Sequence, residues 1–382
     1  MIDSFNTNEF REYSLEIVHV LTHFHSDHRP GLQKNFRGRM ICSPITADLV
    51  EGSLGVGRSH IERLPIGVEK KIAPPIDSLL KPFTIEFIDA NHCPGSVCVL
   101  IRGEDFSHFY MGDCRVDVNV LNTFNRFALQ HIRFCYVDST FYDQASFWDA
   151  MPKKSESIRA LLGFISQYPY KYAFEFELLG TEPLIETILA NYPREKLLVT
   201  SMARYTELEI VYAANPRILE RLVPPGSRDP ESFRFVIIAR KESTAPGYIR
   251  VRATTQRWAR HVKENKGESQ DCPLIEFDNN TCYLFYSMHS SRREIDALLE
   301  LVPQIDHIVP IVPPIDPWKQ PHTPPPPSRP RRVMREVFRP SFVDSSWLLT
   351  THGDSQETVP VQLTLTAQDD DIQLPFGGHR LQ

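Results

Sequence analysis

Short apolar runs separated by polar, turn-forming segments fill the first third of the chain. Runs of this length bounded by turn residues are typical of buried β-strands. The sequence therefore predicts a sheet-rich unit whose strands end in loops that carry His and Asp residues. Its strands are predicted over 16–21, 40–43, 83–89, 97–102, 106–111 and 134–138, with a short helix over 45–51.

From about residue 155 the pattern changes to helix and strand signals in alternation, which favours an α/β unit of its own. Ser155 is the expected N-cap of the first helix of this unit. A helix over 293–301 and a strand over 307–312 close the folded part. The other helices are predicted over 155–167, 182–191 and 206–214, and the other strands over 174–178, 197–200, 235–239, 249–253 and 282–286.

Proline then interrupts the pattern, since ten of the 21 residues in 310–330 are proline. Such a segment favours polyproline II and cannot form the interior of a sheet. Residues 313–382 are therefore predicted to be a mostly disordered tail, and a partner-binding peptide is a weaker expectation for 338–349. The tail also holds a cluster of basic residues suited to a localisation signal or a loose DNA contact: Arg329, Arg331, Arg332 and Arg335.

Composition adds limits to this picture. With 382 residues, of which 41% are hydrophobic, the chain has enough apolar side chains for a real core. It shows neither the long apolar run of a membrane span nor a signal-peptide pattern. Its seven cysteines include no Cys-x-x-Cys pair, which indicates free thiols in a reducing compartment, nucleus or cytoplasm. A net charge of −6 argues mildly against a nucleic-acid partner, although a basic groove or bound divalent ions would offset it locally.

The strongest chemical signal is the loop 23–28, His-Phe-His-Ser-Asp-His, which directly follows the first predicted strand. Imidazole and carboxylate groups are ligands for zinc and neighbouring metals. His23 and His25 share one side of an extended segment, while Asp27 and His28 are placed to face a second ion. The alternative interpretation is a solvated, His-rich turn.

Two later strand ends supply further candidate ligands, His92 in Asn-His-Cys-Pro-Gly and Asp113 in Gly-Asp-Cys. Each alone is an ordinary loop residue. After the loop and in this order, His92 becomes a candidate for the first ion and Asp113 for a position that bridges both. Two such ions suit hydrolysis, because they activate water near neutral pH and neutralise charge on a phosphoryl transition state.

Six segments along the chain together form a recognisable set. In order, they are LTHFHSDH, ICSPITADLV, DANHCPGSV, MGDCR, YVDSTF and SMHSS. With them the chain resembles the β-CASP branch of the metallo-β-lactamase superfamily, and within it the DNA-repair nucleases that include Artemis, Apollo and the yeast interstrand cross-link repair factor. The match is dense over 15–142 and sparse from 282 to 312.

This resemblance implies an α/β fold, a metallo-β-lactamase αββα sandwich with an inserted α/β β-CASP domain and a disordered C-terminal tail. The metallo-β-lactamase domain would be formed by 1–148 and 283–312, the β-CASP domain by 149–282, and the tail by 313–382. DNA would lie in the cleft between the two domains. Because the family usually has a longer N-terminal strand pair than the residues before His23 allow, we expect either that an edge strand is missing or that the sequence starts from an incomplete gene model.

The resemblance also implies roles for individual residues. His23, His25 and His92 would bind one metal, Asp27 and His28 the other, and Asp113 would bridge them. One or two divalent ions are expected: Zn²⁺ as the ion with a structural role, and Mg²⁺ or Mn²⁺ as ions that could support activity. Asp27, Asp138 and His289 are the expected catalytic residues, since Asp138 opens the β-CASP portion and His289 is placed to complete a metal shell or to protonate the leaving oxygen.

Three positions bear on the substrate and on the direction of attack. Val312 stands where RNA-processing relatives carry a histidine, which favours DNA. Met288 replaces the usual Asp before His289, and Thr181 replaces the Lys of the Leu-Gly-Lys-Glu motif of the exonuclease members. Loss of that cation would weaken a preference for a free terminal phosphate. Both changes favour an Artemis-like endonuclease over the alternative, a 5′-to-3′ exonuclease of cross-link repair or telomere ends.

Other DNA contacts are weaker predictions. Arg257, Arg260 and Lys263 would lie along DNA, or would form the solvated face of an amphipathic helix. Ser290 and Ser291 would bind a substrate phosphate, or would cap the following helix.

The function expected overall is that of a nuclear, metal-dependent hydrolase that cuts DNA during double-strand-break or interstrand cross-link repair. Single-stranded ends, hairpins or overhangs are the expected substrates, and repair proteins are expected to bind the tail. The alternatives are a small thioester or lactam hydrolase, an RNA-processing enzyme and a catalytically weak repair scaffold.

Overall fold

The computed structural model describes residues 1–5, 17–73, 81–124, 131–142, 151–176, 178–226, 230–255, 273–302 and 304–311. The predicted tail, Val312 and the basic segment with Arg257, Arg260 and Lys263 lie outside these residues, so those expectations stay predictions.

The described part is a mixed α/β structure with three sheets. The helices are α1 (Pro44–Leu49), α2 (Val118–Phe124), α3 (Lys154–Gln167), α4 (Glu182–Asn191), α5 (Met202–Val211), α6 (Pro216–Leu219) and α7 (Arg292–Glu300). The strands are β1 (Val18–Leu21), β2 (Arg39–Cys42), β3 (Ile61–Arg63), β4 (Glu69–Ile72), β5 (Phe83–Asp89), β6 (Val97–Arg102), β7 (Ser107–Tyr110), β8 (His131–Val137), β9 (Lys171–Phe174), β10 (Leu197–Val199), β11 (Leu222–Val223), β12 (Phe235–Ile237), β13 (Tyr248–Thr254), β14 (Ile275–Asp278), β15 (Thr281–Phe285) and β16 (Gln304–Pro310).

The first sheet has the order β1-β2-β3 and is parallel. Residues 1–5 run beside β1, with an isolated parallel bridge between Ile2 and Val20. A short segment that bends at Asp3, where φ is 51°, therefore covers part of the edge where a strand was expected to be missing. It also places Asp3 next to the loop that leaves β1, and this proximity becomes important at the candidate site.

The second sheet has six strands in the order β16-β8-β7-β6-β5-β4. The strands β4 to β7 pair antiparallel, while β8 is parallel to both β7 and β16. Ile295, Leu298 and Leu299 of α7 belong to the apolar core that this sheet shares. Because β16 and α7 come from the far end of the folded region and β4 to β8 from its beginning, distant parts of the chain form one core.

The third sheet has seven strands in the order β11-β10-β12-β9-β13-β15-β14, and only β14 is antiparallel to its neighbour. Helices α3, α4 and α5 contribute Leu161, Ile185 and Leu208 to a separate apolar core. Parallel strands joined through helices are the usual outcome of alternating helix and strand signals.

The predicted mixed α/β class is confirmed, while the αββα sandwich with an inserted β-CASP domain and the domain boundaries stay predictions. Several element predictions were wrong at their ends. Lys153, not Ser155, precedes α3, and its backbone N–H is bound by Glu156. The strand predicted over 174–178 ends at Phe174. Helix α5 begins at Met202, because the Ser201 hydroxyl caps it.

In the part of the chain that the structure describes, no helix is long and apolar enough to cross a membrane. The cysteines found there are buried free thiols: Cys42, Cys93, Cys98, Cys114, Cys135 and Cys282.

Candidate metal centre

Three histidines bring a ring nitrogen each to one point beside the loop that follows β1. His25 Nδ1 lies 3.1 Å from His23 Nε2 and 3.1 Å from His92 Nε2. Two adjacent imidazole ligands of a tetrahedral zinc ion are about 3.3 Å apart, given Zn–N bonds of ~2.0–2.1 Å. The separations in the protein are therefore close to those of a metal site. We call His23, His25 and His92 the three-histidine group.

On each ring, the hydrogen-bond partner of the opposite nitrogen fixes which nitrogen carries the proton. Thr22 Oγ1 donates to Asp3 Oδ2 at 2.7 Å, so at 3.0 Å it must accept the proton of His23 Nδ1. His25 Nε2 donates to the Leu179 carbonyl at 3.1 Å, and His92 Nδ1 to the Met288 carbonyl at 3.0 Å.

A neutral imidazole carries a proton on only one nitrogen. The three nitrogens that converge are therefore bare acceptors, which repel one another unless a cation lies between them. This donor set fits a divalent metal ion.

Asp113 lies at the centre of a wider arrangement. Its Oδ2 is 3.7 Å from His23 Nε2, 3.5 Å from His92 Nε2 and 3.3 Å from His28 Nε2. The positive φ of 59° at Gly112, just before it, is the turn that ends the segment after β7. A carboxylate oxygen between two sets of imidazoles is suited to the bridging position that the sequence assigned to Asp113.

Carboxylates bind the outer nitrogens of the remaining histidines. His28 Nδ1 lies 2.8 Å from Asp3 Oδ2, and His289 Nδ1 lies 2.9 Å from Asp138 Oδ2. The free Nε2 of His289 is 3.8 Å from Asp113 Oδ2. Asp138 therefore supports His289 from its outer nitrogen, and one carboxylate oxygen each of Asp113 and Asp138 and a ring nitrogen of His289 also lie within 4.8 Å of one another. We call His28, His289 and Asp113 the carboxylate-backed group.

Burial and neighbouring charges separate the two groups. Burial lowers the pKa of His23, His25 and His92, so these rings stay neutral. Burial opposes protonation of His28 as well, yet Asp113 and Asp3 outweigh it and raise the pKa of His28 well above its usual value.

His289 behaves in the same way, because Asp138 and Asp113 overcome its burial and raise its pKa to about 9. Burial alone would raise the pKa of Asp113, but His28 and His289 hold it well below the ordinary carboxyl range. Asp113 is therefore ionised.

Asp27 lies at the edge of the site. Its side chain is 41% exposed, and its Oδ2 is 4.0 Å from His28 Nε2. It comes close to the carboxylate-backed group, but it is not within the tight groups that His23, His25, His92, Asp113, Asp138 and His289 form. Asp27 is therefore more accessible to a substrate than Asp113 or Asp138, whose side chains are at most 9% exposed.

The serines after His289 have partners inside the protein. Ser290 Oγ donates to the Cys114 carbonyl at 2.6 Å and accepts from Val116 N at 2.9 Å. Ser291 is the N-cap of α7 and forms a capping box with Glu294. Both side chains are buried. Ser291 therefore fits the capping alternative, whereas Ser290 ties the start of α7 to the segment after β7, and the contacts of both favour a structural role over the binding of a substrate phosphate.

Two supporting residues were missed by sequence reasoning. Asp3 accepts from Thr22 and faces His28, but no spacing rule connects it with a loop 20 or more residues later. Arg115, almost completely buried, donates to the His289 carbonyl at 3.1 Å and to Glu294 at 3.0 Å. Its place directly after the Gly-Asp-Cys segment was the only signal that could have identified it.

Of the two positions that favoured endonuclease action, Thr181 is buried and Met288 is half-buried. Thr181 is buried, donates to the Leu178 carbonyl at 2.9 Å and accepts from Arg204 at 3.3 Å. Met288 packs against the core of the third sheet. The side chain at position 181 thus faces the buried guanidinium of Arg204, and the effect of the change from Lys to Thr on a terminal phosphate stays a prediction.

Comparison with known proteins gives named relatives. Mouse "5′ exonuclease Apollo" is 32% identical over 173 residues, which are 45% of this chain and 31% of the relative. Zebrafish (Danio rerio) "5′ exonuclease Apollo" is 27% identical over 304 residues, 76% of this chain and 48% of the relative. Human "DNA cross-link repair 1A protein" is 29% identical over 185 residues, 48% of this chain and 16% of the relative. The chain thus matches less than half the length of each. No model of a known protein family matches it.

Proposed function

We propose that this chain, a relative of the β-CASP metallo-β-lactamase DNA-repair nucleases, is itself a metal-dependent nuclease that hydrolyses phosphodiester bonds of DNA during cross-link repair or end processing. One observation carries the proposal. Three imidazoles present bare nitrogens to one point, and an ionised carboxylate lies within 3.7 Å of two of them. A nuclear location follows from this role and is part of the proposal.

Two sets of residues would hold two metal ions. His23, His25 and His92 would hold one divalent ion together with Asp113. Asp113, His28 and the nearby Asp27 would hold a second. Bound there, such ions would supply Lewis acidity and activate a water near neutral pH. Zn²⁺ is the ion that best suits three imidazoles, while Mg²⁺ or Mn²⁺ would suit the oxygen-rich second position.

The chain's own groups supply the remaining chemistry. His289, with its outer nitrogen bound by Asp138, presents Nε2 to the centre and can pass a proton to a leaving oxygen. The Cys114 and Thr140 backbone N–H groups also bind Asp138, at 3.2 and 3.0 Å, so this carboxylate cannot turn away. Asp138 thereby fixes which nitrogen of His289 carries the proton.

A second question is the direction of attack. The names of the relatives above favour the 5′-to-3′ exonuclease alternative over the Artemis-like endonuclease. We therefore place exonucleolytic attack from a 5′ end first. Endonucleolytic opening of hairpins stays the second candidate.

The test is a cleavage assay on the purified chain with Zn²⁺, Mg²⁺ or Mn²⁺. The substrates are single strands, hairpins and overhanging duplexes, labelled at either end and made with or without a 5′ phosphate, with RNA of the same sequence beside them. We expect products that shorten from the 5′ end, and their loss when a chelator removes the metal. Hairpin opening without shortening would support the endonuclease instead.

A pair of matched variants separates the site from the fold. His25→Phe removes a ligand of the three-histidine group and should abolish cleavage. His108→Phe makes the same change at a buried histidine of β7 that stacks on Phe134, outside the centre, and should cleave like the wild type. Equal activity of both variants, or cleavage of RNA alone, would contradict the proposal.

A further inference from the structure

We infer that the turn 178–182, which the buried ion pair of Glu182 and Arg204 holds in place, orients His25 and so sets the metal affinity of the three-histidine group. The inference rests on the proposed function, because it takes that group to be a cation site. Glu182 and Arg204 are positioning residues on this view, since their contacts reach the turn and not the centre.

His25 depends on this turn for its outer hydrogen bond. Its Nε2 meets the Leu179 carbonyl at 3.1 Å, across 154 residues of sequence. His23 and His92 bind their acceptors beside β1 and in the segment after β15. His25 is also the member of the group that keeps some solvent exposure. Of the three rings, that of His25 is therefore held least by packing. Its orientation depends most on its hydrogen bond, which the Leu179 carbonyl accepts.

Gly180 shows how closely the turn approaches the centre. Its φ is +102°, which favours glycine, and a Cβ at this position would lie 2.9 Å from the His92 carbonyl oxygen and 2.1 Å from Met288 Sδ. The turn thus lies directly against the backbone of one ligand while its carbonyl at Leu179 binds another. A small displacement of the turn would move both contacts.

Arg204 and Glu182 fix the turn from the side away from the centre. Glu182 Oε1 pairs with Arg204 Nη2 at 2.7 Å, and Glu182 Oε2 accepts the N–H of Gly180. Arg204 also donates to the Phe176 carbonyl at 2.9 Å and to Thr181 Oγ1 at 3.3 Å. Both charged side chains are at most 3% exposed.

A second contact comes from the segment between β15 and His289. The Tyr286 hydroxyl donates to the Gly180 carbonyl at 3.0 Å. A buried ion pair costs desolvation, so its best use is to impose one arrangement on the backbone around it. Here that arrangement presents the Leu179 carbonyl to His25.

The test compares two Arg→Lys variants of the full chain. Lys keeps the charge but not the planar fork that reaches several acceptors at once. Arg204→Lys should bind Zn²⁺ roughly 10–100-fold more weakly than the wild type, which is the usual effect of removing support from behind a ligand. The matched control is Arg221→Lys, because Arg221 also binds backbone carbonyls of the third-sheet unit, at Leu189, Tyr192 and Glu195, and none of them touches a histidine of the centre.

The measurements are Zn²⁺ affinity of metal-stripped protein by chelator competition, thermal unfolding without metal, and the absorption spectrum of Co²⁺ bound in place of Zn²⁺. Both variants should lose a similar amount of thermal stability. Only Arg204→Lys should lose affinity and change the Co²⁺ spectrum. Glu182→Gln, which keeps the shape of the side chain, should show the same loss of Zn²⁺ affinity and the same change in the Co²⁺ spectrum. If Arg204→Lys does not fold, Glu182→Gln tests the inference in its place.

The outcomes separate the inference from the proposed function. Wild-type affinity and spectrum in folded Arg204→Lys or Glu182→Gln would overturn the inference and leave the metal centre intact. An equal loss of affinity in Arg221→Lys would also overturn it, because the effect would then be general to the unit. A wild-type protein that binds no Zn²⁺ would overturn both.

Discussion

The two groups of histidines at the centre differ in what binds their outer nitrogens. Neutral acceptors bind those of the three-histidine group, a Thr hydroxyl and two backbone carbonyls. Carboxylates bind those of the carboxylate-backed group, Asp3 for His28 and Asp138 for His289. The difference teaches what each group is suited for. Neutral rings with fixed lone pairs suit tight, permanent metal binding, whereas carboxylate-backed rings hold protons strongly and suit proton transfer or a weakly held second ion.

Asp113 faces histidines of both groups, so its loss should have the largest effect. Asp113→Asn keeps the shape but removes the charge that faces four histidines. We expect cleavage of DNA to fall by ~10³-fold or more, because stabilisation of transition-state charge is worth several kcal/mol and each 1.36 kcal/mol is tenfold in rate. Steady-state cleavage rates at saturating metal measure this. A loss smaller than tenfold would show that Asp113 does not join the groups.

Removal of one histidine from each group sharpens the comparison. His92→Ala should lose the tightly bound ion, whereas His28→Ala should keep one ion per chain and lose only the weaker one. Metal content after dialysis, measured by mass spectrometry, distinguishes the two results. Equal metal loss in both variants would mean that the two groups bind metal as one unit.

Asp138→Asn tests the proton-transfer role of the carboxylate-backed group. The amide can still accept from one neighbour but no longer fixes the protonated nitrogen of His289. We expect kcat to fall by roughly 10–100-fold with metal content unchanged. Loss of the tightly bound ion would instead place Asp138 with the three-histidine group.

The sequence predicted those parts of the site whose residues lie close together in the chain or end successive strands. It did not predict contacts that only the folded chain creates. The loop 23–28 was readable because its ligands lie within one turn of chain, and His92 and Asp113 because they end strands in a recognisable order. The partners of the outer nitrogens were not readable. A backbone carbonyl such as that of Leu179 carries no side-chain signature, and Asp3 meets His28 only because residues 1–5 run beside β1.

The element ends followed the same rule. The strand predicted over 83–89 agrees with β5 in full, since alternation and turn residues mark both of its ends. Helix α5 was placed four residues too late, because the helical pattern alone did not favour the Ser201 cap over a later start. Short edge strands such as β11 and β14 were missed, since two to four residues are too few for a periodic pattern.

Thr22 links the two groups, and its replacement should have the smallest effect. Its hydroxyl accepts from His23 and donates to Asp3, which in turn binds His28. Thr22→Val has nearly the same shape but leaves the His23 N–H without its acceptor and removes one donor from Asp3. A buried polar group left without a partner costs about 1–3 kcal/mol, so the free energy of unfolding should fall by that amount in a denaturant titration.

The same variant shows which group the hydroxyl serves. If Thr22 orients His23, Zn²⁺ affinity should fall by roughly tenfold or less while kcat at saturating metal is kept, and Thr22→Ser, which keeps the hydroxyl, should behave like the wild type. If kcat falls while affinity is kept, the hydroxyl acts mainly through Asp3 on His28. In that case the Thr22 hydroxyl and the Asp3 carboxylate form one hydrogen-bond chain between His23 and His28. The outer partners of these two rings would then not separate the two groups, and Asp113 alone would lie between them.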